Sequence, residues 1–127
     1  VGVKFQEERI ELDITGSNLG VLIGRRGQTL DALQYITTLA VNNRTSDFMP
    51  VQVDAGGYRE KRRQTIQNNA RSAKQKVVKT GHKVTLEPMS PAERRFVHMA
   101  LSDDPEVVTY SVGEEPARRV VVDLKRD

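Results

Sequence analysis

The tetrapeptide Gly24-Arg25-Arg26-Gly27 constrains the fold of this chain more than any other feature. Apolar and small residues recur at helical spacing on both sides of it. They are Leu19, Leu22 and Ile23 before it, and Leu30, Leu33, Thr37, Ala40 and Val41 after it. Because glycine permits positive φ angles and close approach of another backbone, the pattern predicts two helices joined by a tight turn.

The same turn has the features of an anion site. It opens the second helix, whose first N–H groups lack partners within the helix and carry the positive end of the helix dipole. Arg25 and Arg26 add two cations at that point. We therefore expect a phosphate-binding turn. The alternative is a simple helix C-cap formed by the glycines, with both arginines solvated.

A G-x-x-G turn between two short helices, with strands on either side, is the nucleotide clamp of the KH domain. The wider run, ending in Asp31-Ala32-Leu33-Gln34-Tyr35, resembles the bacterial Jag (SpoIIIJ-associated) proteins. The resemblance implies that the turn grips the sugar-phosphate of about four nucleotides. The implied clamp is Gly24, Arg25, Arg26, Gly27 and Gln28, and the implied groove for the bases is Val21, Leu22, Ile23 and the edge strand.

Strand patterns flank the two helices. Residues 1–5 and 10–14 alternate apolar and polar positions and predict an antiparallel hairpin across Gln6-Glu7-Glu8-Arg9. Residues 48–54 predict a third strand, after polar turn residues at 42–47. The order β-β-α-α-β is that of a bacterial-type KH domain without the helix that usually precedes it. We expect this domain to span residues 1–56.

Residues 57–127 predict a second α+β unit, after a hinge at Ala55-Gly56-Gly57. A long helix is expected at 58–80, with a narrow buried stripe and a stop at Gly81. The stripe consists of Ile66, Ala70, Ala73 and Val77. A short strand at 83–87, a helix opened by the capping box Ser90-Pro91-Ala92-Glu93, and a hairpin of strands 107–112 and 118–124 complete the order α-β-α-β-β.

Arg94 and His98 lie one turn apart in the helix that follows Ser90. We expect both on an exposed face, opposite an apolar face of Phe96, Val97, Ala100 and Leu101. After a KH clamp and a basic helix, this Arg-xxx-His spacing resembles the R-three-H domain, a nucleic-acid-binding module that follows the KH domain in Jag proteins. The resemblance implies that Arg94 forks onto a phosphate and that His98 stacks on a base or donates to a phosphate. A surface pair without a ligand is the alternative.

The charge of the chain is uneven. The net charge is +3, but residues 57–80 carry +7 while residues 1–56 and 81–127 each carry −2. A concentrated positive segment indicates a polyanionic partner, although a solvated helix face gives the same pattern. The predicted basic patch is Arg59, Lys61, Arg62 and Arg63.

Several chemistries find no support in the sequence. The chain has no cysteine, which excludes disulfides and thiolate metal sites. Its two histidines, His82 and His98, are far apart, so we expect no metal site and no cofactor. No apolar run approaches the length of a membrane span. Tyr35, Tyr58 and Tyr110 are candidates for base stacking, with core roles as the alternative for each.

The resemblance covers essentially all 127 residues. It implies a cytoplasmic protein that binds single-stranded RNA, with single-stranded DNA as an open alternative. It further implies an RNA chaperone or post-transcriptional regulator linked to cell elongation and envelope synthesis. Expected partners are a small single-KH protein and membrane-associated envelope-synthesis or insertase proteins, with no small-molecule substrate. Jag proteins usually carry an extra N-terminal domain that is absent from this sequence, and we expect further sequence upstream of residue 1.

Two other classes of function remain. One is an interaction module whose basic helix docks on anionic lipid or on a membrane insertase. The other is an enzyme that cleaves phosphodiesters with His98, for which the sequence offers no second acid, base or metal ligand. We expect no enzyme activity.

Overall fold

A computed structural model describes residues 1–5, 8–43 and 47–126. The chain forms two compact units, Val1–Arg62 and Arg63–Asp127. The division falls inside a helix, whereas the sequence prediction placed it after residue 56. The extent of each functional domain stays a prediction.

The first unit contains three strands and two helices. Strands β1 (Gly2–Phe5) and β2 (Ile10–Ile14) precede helix α1 (Gly20–Ile23), a 3-10 turn (Arg25–Gly27), helix α2 (Gln28–Asn42) and strand β3 (Val51–Ala55). The sheet order is β1-β2-β3, with an antiparallel first pair and a parallel second pair. The predicted hairpin and the order β-β-α-α-β are confirmed. The predicted turn residues Gln6, Glu7 and 44–46 lie outside the described residues.

The core of this unit lies between α2 and the sheet. Leu30 is fully buried and packs with the inward side chains of β3, which are Val51, Val53 and Ala55. All four residues of β1, which is at the edge of the sheet, are exposed, and so is Ala40 on α2.

The second unit is built on one long helix. Helix α3 (Tyr58–Thr80), which contains the division between the units, is followed by β4 (Val84–Thr85), α4 (Pro91–Leu101), β5 (Val107–Val112) and β6 (Arg119–Leu124). The sheet order is β4-β6-β5 and both pairs are antiparallel. The predicted order α-β-α-β-β and the α+β class are confirmed.

Local sequence signals placed the helices of the second unit well. The buried residues of α3 are the four predicted ones, Ile66, Ala70, Ala73 and Val77. Gly81 ends α3 with a φ of 75° and a 2.8 Å hydrogen bond from its N–H to the carbonyl of Val77. Ser90 and Glu93 form the predicted capping box of α4. Val97 and Leu101 of α4 are buried against this core, but Ala100 is exposed, contrary to the prediction.

None of the helices in the described ranges is both long enough and apolar enough to cross a membrane.

Candidate nucleic-acid interface

The Gly24–Gly27 turn is built so that neither glycine can be replaced without strain. Gly24 has a φ of 73° and Gly27 a φ of 78°, in the region that side chains rarely adopt. A Cβ atom on Gly24 would lie 2.9 Å from the Cβ of Thr29, and one on Gly27 would lie 2.8 Å from Cε1 of Tyr58. The two-glycine spacing read from the sequence is therefore a steric requirement of this turn.

The two arginines of the turn differ. Arg25 is exposed, whereas Arg26 is half-buried and has a positive φ of 52°. Such a backbone costs a non-glycine residue about 1 kcal/mol or more, and strained residues of this kind cluster at functional sites. Arg26 also has interactions within the protein, so the two arginines are not equivalent.

The start of α2 presents backbone donors beside these arginines. Gly27 is its N-cap, and a glycine has no side chain that could accept a hydrogen bond from the first turn. Gln28 is the first residue of the helix and is exposed. Asp31, the acidic residue of this first turn, forms an ion pair with Arg59 at 2.8 Å. The N-terminus of α2 thus combines a helix dipole with the exposed guanidinium of Arg25.

Of the three predicted groove residues, Val21 and Leu22 lie at the surface and Ile23 packs on the core. Val21 is 80% exposed and Leu22 is 36% exposed. Ile23 is half-buried and packs on the core that contains Leu30. The apolar surface next to the turn is therefore made by Val21 and Leu22, because α1 is a single turn that directs Ile23 inward.

The outer edge of β3 is covered by side chains. The N–H of Val53 donates to Oε1 of Gln34 at 2.9 Å, and its carbonyl accepts from Nε of Arg59 at 2.8 Å. Nη2 of Arg59 is buried and has no hydrogen-bond partner in the part of the chain that the structure describes. Arg59 was predicted as part of a basic patch, but its guanidinium lies along β3 because α3 begins directly after that strand. Lys61 and Arg63 are exposed and Arg62 is half-buried.

In the second unit, Arg94 is not on an exposed face. It is only 8% exposed. Nη1 donates to the carbonyl of Met89 at 2.7 Å, and Nη2 donates to a carboxylate oxygen of Glu115 at 2.5 Å. The prediction of exposure is wrong because the turn between β5 and β6 carries Glu115 back to the first turn of α4.

His98 is half-buried and is also held by the protein. Its Nδ1 lies 2.7 Å from Oγ1 of Thr109 and its Nε2 lies 3.2 Å from Oγ of Ser111. Hydroxyl groups can donate or accept, so the two partners satisfy either neutral tautomer. Burial lowers the pKa of His98, and the positive charge of Arg94 lowers it further. A neutral imidazole at neutral pH follows, and the predicted exposure of His98 is wrong.

The partners of Arg94 and His98 were missed at the sequence level. Thr109 and Ser111 alternate along β5, and this period of two places both on the face of the strand that meets α4. Glu115 has no such signal, since its contact with Arg94 depends on how the hairpin folds back. In the described residues, no group of three histidine, aspartate or glutamate side chains could hold a metal ion.

Comparisons with known proteins agree with this arrangement. A model of the KH domain of KhpA/KhpB matches residues 1–53. A model of the R-three-H domain matches residues 64–124. The chain is therefore a KH domain followed by an R-three-H domain.

The chain also resembles curated proteins over its full length. It is 46% identical over 129 residues to the RNA-binding protein KhpB of Clostridium symbiosum, covering 100% of this chain and 58% of that protein. It is 39% identical over 128 residues to the RNA-binding protein KhpB of Bacillus subtilis strain 168, covering 99% of this chain and 62% of that protein. The chain thus spans about three fifths of the length of these two curated relatives. It belongs to the Jag family, as the run around Gly24 indicated.

Proposed function

We propose that this chain binds single-stranded RNA through the Gly24–Gly27 turn and catalyses no reaction. The observation that carries the proposal is the turn itself. Two crowded glycines with positive φ angles hold exposed Arg25 beside the uncapped N-terminus of α2. The names of the KhpB relatives, which are RNA-binding proteins, support the choice of ligand.

In this proposal the first unit holds about four nucleotides. Backbone N–H groups at the start of α2 and the guanidinium of Arg25 bind phosphate oxygens, with Arg26 and Gln28 beside them. Bases lie on the apolar surface of Val21 and Leu22. Because phosphate contacts carry no sequence information, discrimination between bases belongs to that surface.

Helix α3 supplies further positive charge for phosphates through Lys61, Arg62 and Arg63. In the second unit, His98 contributes as a neutral ring. Arg94 contributes only if one of its protein acceptors gives way. Cytoplasmic location, RNA chaperoning, the link to cell elongation and envelope synthesis, and a small single-KH partner rest on the family resemblance and stay predictions.

The proposal is tested by fluorescence anisotropy with a labelled uridine oligonucleotide of about 12 nucleotides, long enough to reach past the first unit. Arg25→Gln is expected to weaken binding about tenfold, the size of a lost charge-assisted hydrogen bond. It should also flatten the slope of log K against log salt by about 0.7, since one phosphate contact is lost.

Lys4→Gln is the matched control, since Lys4 is an exposed cation of the same unit on β1. It removes the same charge from a different element and should leave the affinity within about twofold, as expected for a screened charge that does not contact the phosphate. Both substitutions are at exposed positions and should change stability by about 0.5 kcal/mol or less. Equal losses in the two variants would show that general charge, and not the turn, binds the RNA. Shortening of the RNA during the titration would contradict the absence of catalysis.

A further inference from the structure

An ion pair connects α4 to the turn between β5 and β6. Nη2 of Arg94 donates to Glu115, and its Nη1 donates to the carbonyl of Met89 at 2.7 Å. The two partners differ in burial. The side chain of Arg94 is 10% exposed, whereas that of Glu115 is 49% exposed. The guanidinium is thus fixed within the unit while its carboxylate partner lies at the surface.

This difference in burial determines which partner can leave. Removing Arg94 from its place would break the bond to Met89, and removing Glu115 without replacement would leave a buried cation uncompensated. The Glu115 carboxylate itself can turn into water easily, because it is already about half exposed and exposed carboxylates are well hydrated. The pair therefore opens most easily by replacement of the carboxylate with another anion.

A phosphodiester is suited to that replacement. Its oxygens accept from the guanidinium fork as a carboxylate does. It also carries one negative charge, so Arg94 stays compensated throughout the exchange. Two exposed cations belong to the elements around this pair, Arg95 in α4 and Arg119 at the start of β6. They favour a polyanion over an isolated carboxylate from another protein.

We propose that Glu115 occupies the position of an RNA phosphate, and that RNA binds Arg94 by displacing the Glu115 carboxylate. The inference rests on the proposed function and names the residue that competes with RNA in the second unit. It also accounts for how a buried arginine takes part in binding. The released carboxylate is hydrated.

The test compares two neighbouring carboxylates in the full 127-residue chain. Glu115→Gln keeps the shape of the side chain but weakens it as a competitor for Arg94. Glu114→Gln removes the same charge one residue away, from an exposed carboxylate with no ion pair among the described residues. With the uridine oligonucleotide, Glu115→Gln is expected to tighten binding about fivefold, the value of a partly exposed ion pair. Glu114→Gln is expected to change it less than about twofold.

Equal affinities of the two glutamine variants, or weaker binding by Glu115→Gln, would overturn the exchange and assign Glu115 a structural role alone. Urea unfolding of each variant checks that the second unit is intact. Should Glu115→Gln unfold it, Glu115→Asp replaces it in the comparison. That variant keeps the charge but shortens the reach to Arg94, and is expected to tighten binding about twofold. If the wild-type chain does not bind the RNA, both the proposed function and this inference are refuted. If the wild-type chain binds but Glu115→Gln and Glu114→Gln have equal affinities, only the exchange is refuted.

Discussion

Replacing Gly27 with alanine should destabilise the first unit more than the same change at Gly57 or Gly20. Gly27 has a φ of 78° and a hypothetical Cβ 2.8 Å from the Tyr58 ring. Gly57 has a φ of 71° but no atom within 4 Å of its hypothetical Cβ, and Gly20 has neither problem. The three positions therefore separate backbone strain from steric crowding.

The expected magnitudes follow from these differences. A left-handed backbone costs alanine about 1–2 kcal/mol, so Gly57→Ala should destabilise by about that amount. Gly27→Ala adds the displacement of Tyr58, which packs on the core of the unit, and should cost about 2–4 kcal/mol in total. Gly20→Ala lies at the start of α1 and should be neutral or slightly stabilising, by up to about 0.5 kcal/mol.

Urea unfolding followed by circular dichroism measures all three variants. In a Tyr58→Leu background the cost of Gly27→Ala should fall to that of Gly57→Ala, because the crowding atom is gone. Equal costs of Gly27→Ala and Gly57→Ala in the wild-type background would show that Tyr58 does not restrict the turn. A Gly27→Ala variant as stable as Gly20→Ala would refute the geometry of the turn itself.

Three further predictions concern the core of the first unit, the cap of α4 and His98. Leu30→Ala should destabilise the protein by about 2–5 kcal/mol in urea unfolding, since Leu30 is fully buried. Leu39→Ala, the control at a 55% exposed position, should cost about 0.5 kcal/mol or less. Ser90→Ala should cost about 0.5–2 kcal/mol by the same measurement, through loss of the capping box. The pKa of His98 is lower in the folded protein than in the unfolded chain. The stability that depends on neutral His98 should therefore be complete above about pH 6.5 and should be lost as the pH drops through the lowered pKa. Urea midpoints between pH 7.5 and about 5 should show this fall for the wild type and a flatter profile for His98→Gln; an unchanged profile in the variant would contradict it.

The elements that sequence predicted best are those with local signals. The α3 stripe of Ile66, Ala70, Ala73 and Val77 follows from helical periodicity alone, and the cap at Ser90 from four consecutive residues. The exposure of β1 was not predictable, because its alternation is that of a half-buried strand while its position in the sheet is set by pairing with β2.

The parts of the candidate site that depend on local sequence were predicted, and those that depend on distant residues were not. The conformation of the Gly24–Gly27 turn follows from its residues, and the structure has both glycines at positive φ. The burial of Arg94 was missed because Glu115, its partner, is 21 residues away in the chain and reaches it through the β5–β6 turn. Arg59 was placed in the basic patch from charge alone, and nothing in the local sequence indicates that β3 accepts its hydrogen bond.

The most direct test of RNA binding at the turn is a nitrogen-15 NMR titration of the full chain with the uridine oligonucleotide. We expect the largest amide shifts at residues 24–28, at the turn and the start of α2. We also expect the side-chain Nε–H signal of Arg94 to change over the same range of RNA concentration, as its carboxylate partner is exchanged. Amides near Leu39, towards the end of α2, should move little. Saturable binding that leaves the amides of residues 24–28 unchanged would contradict the central claim.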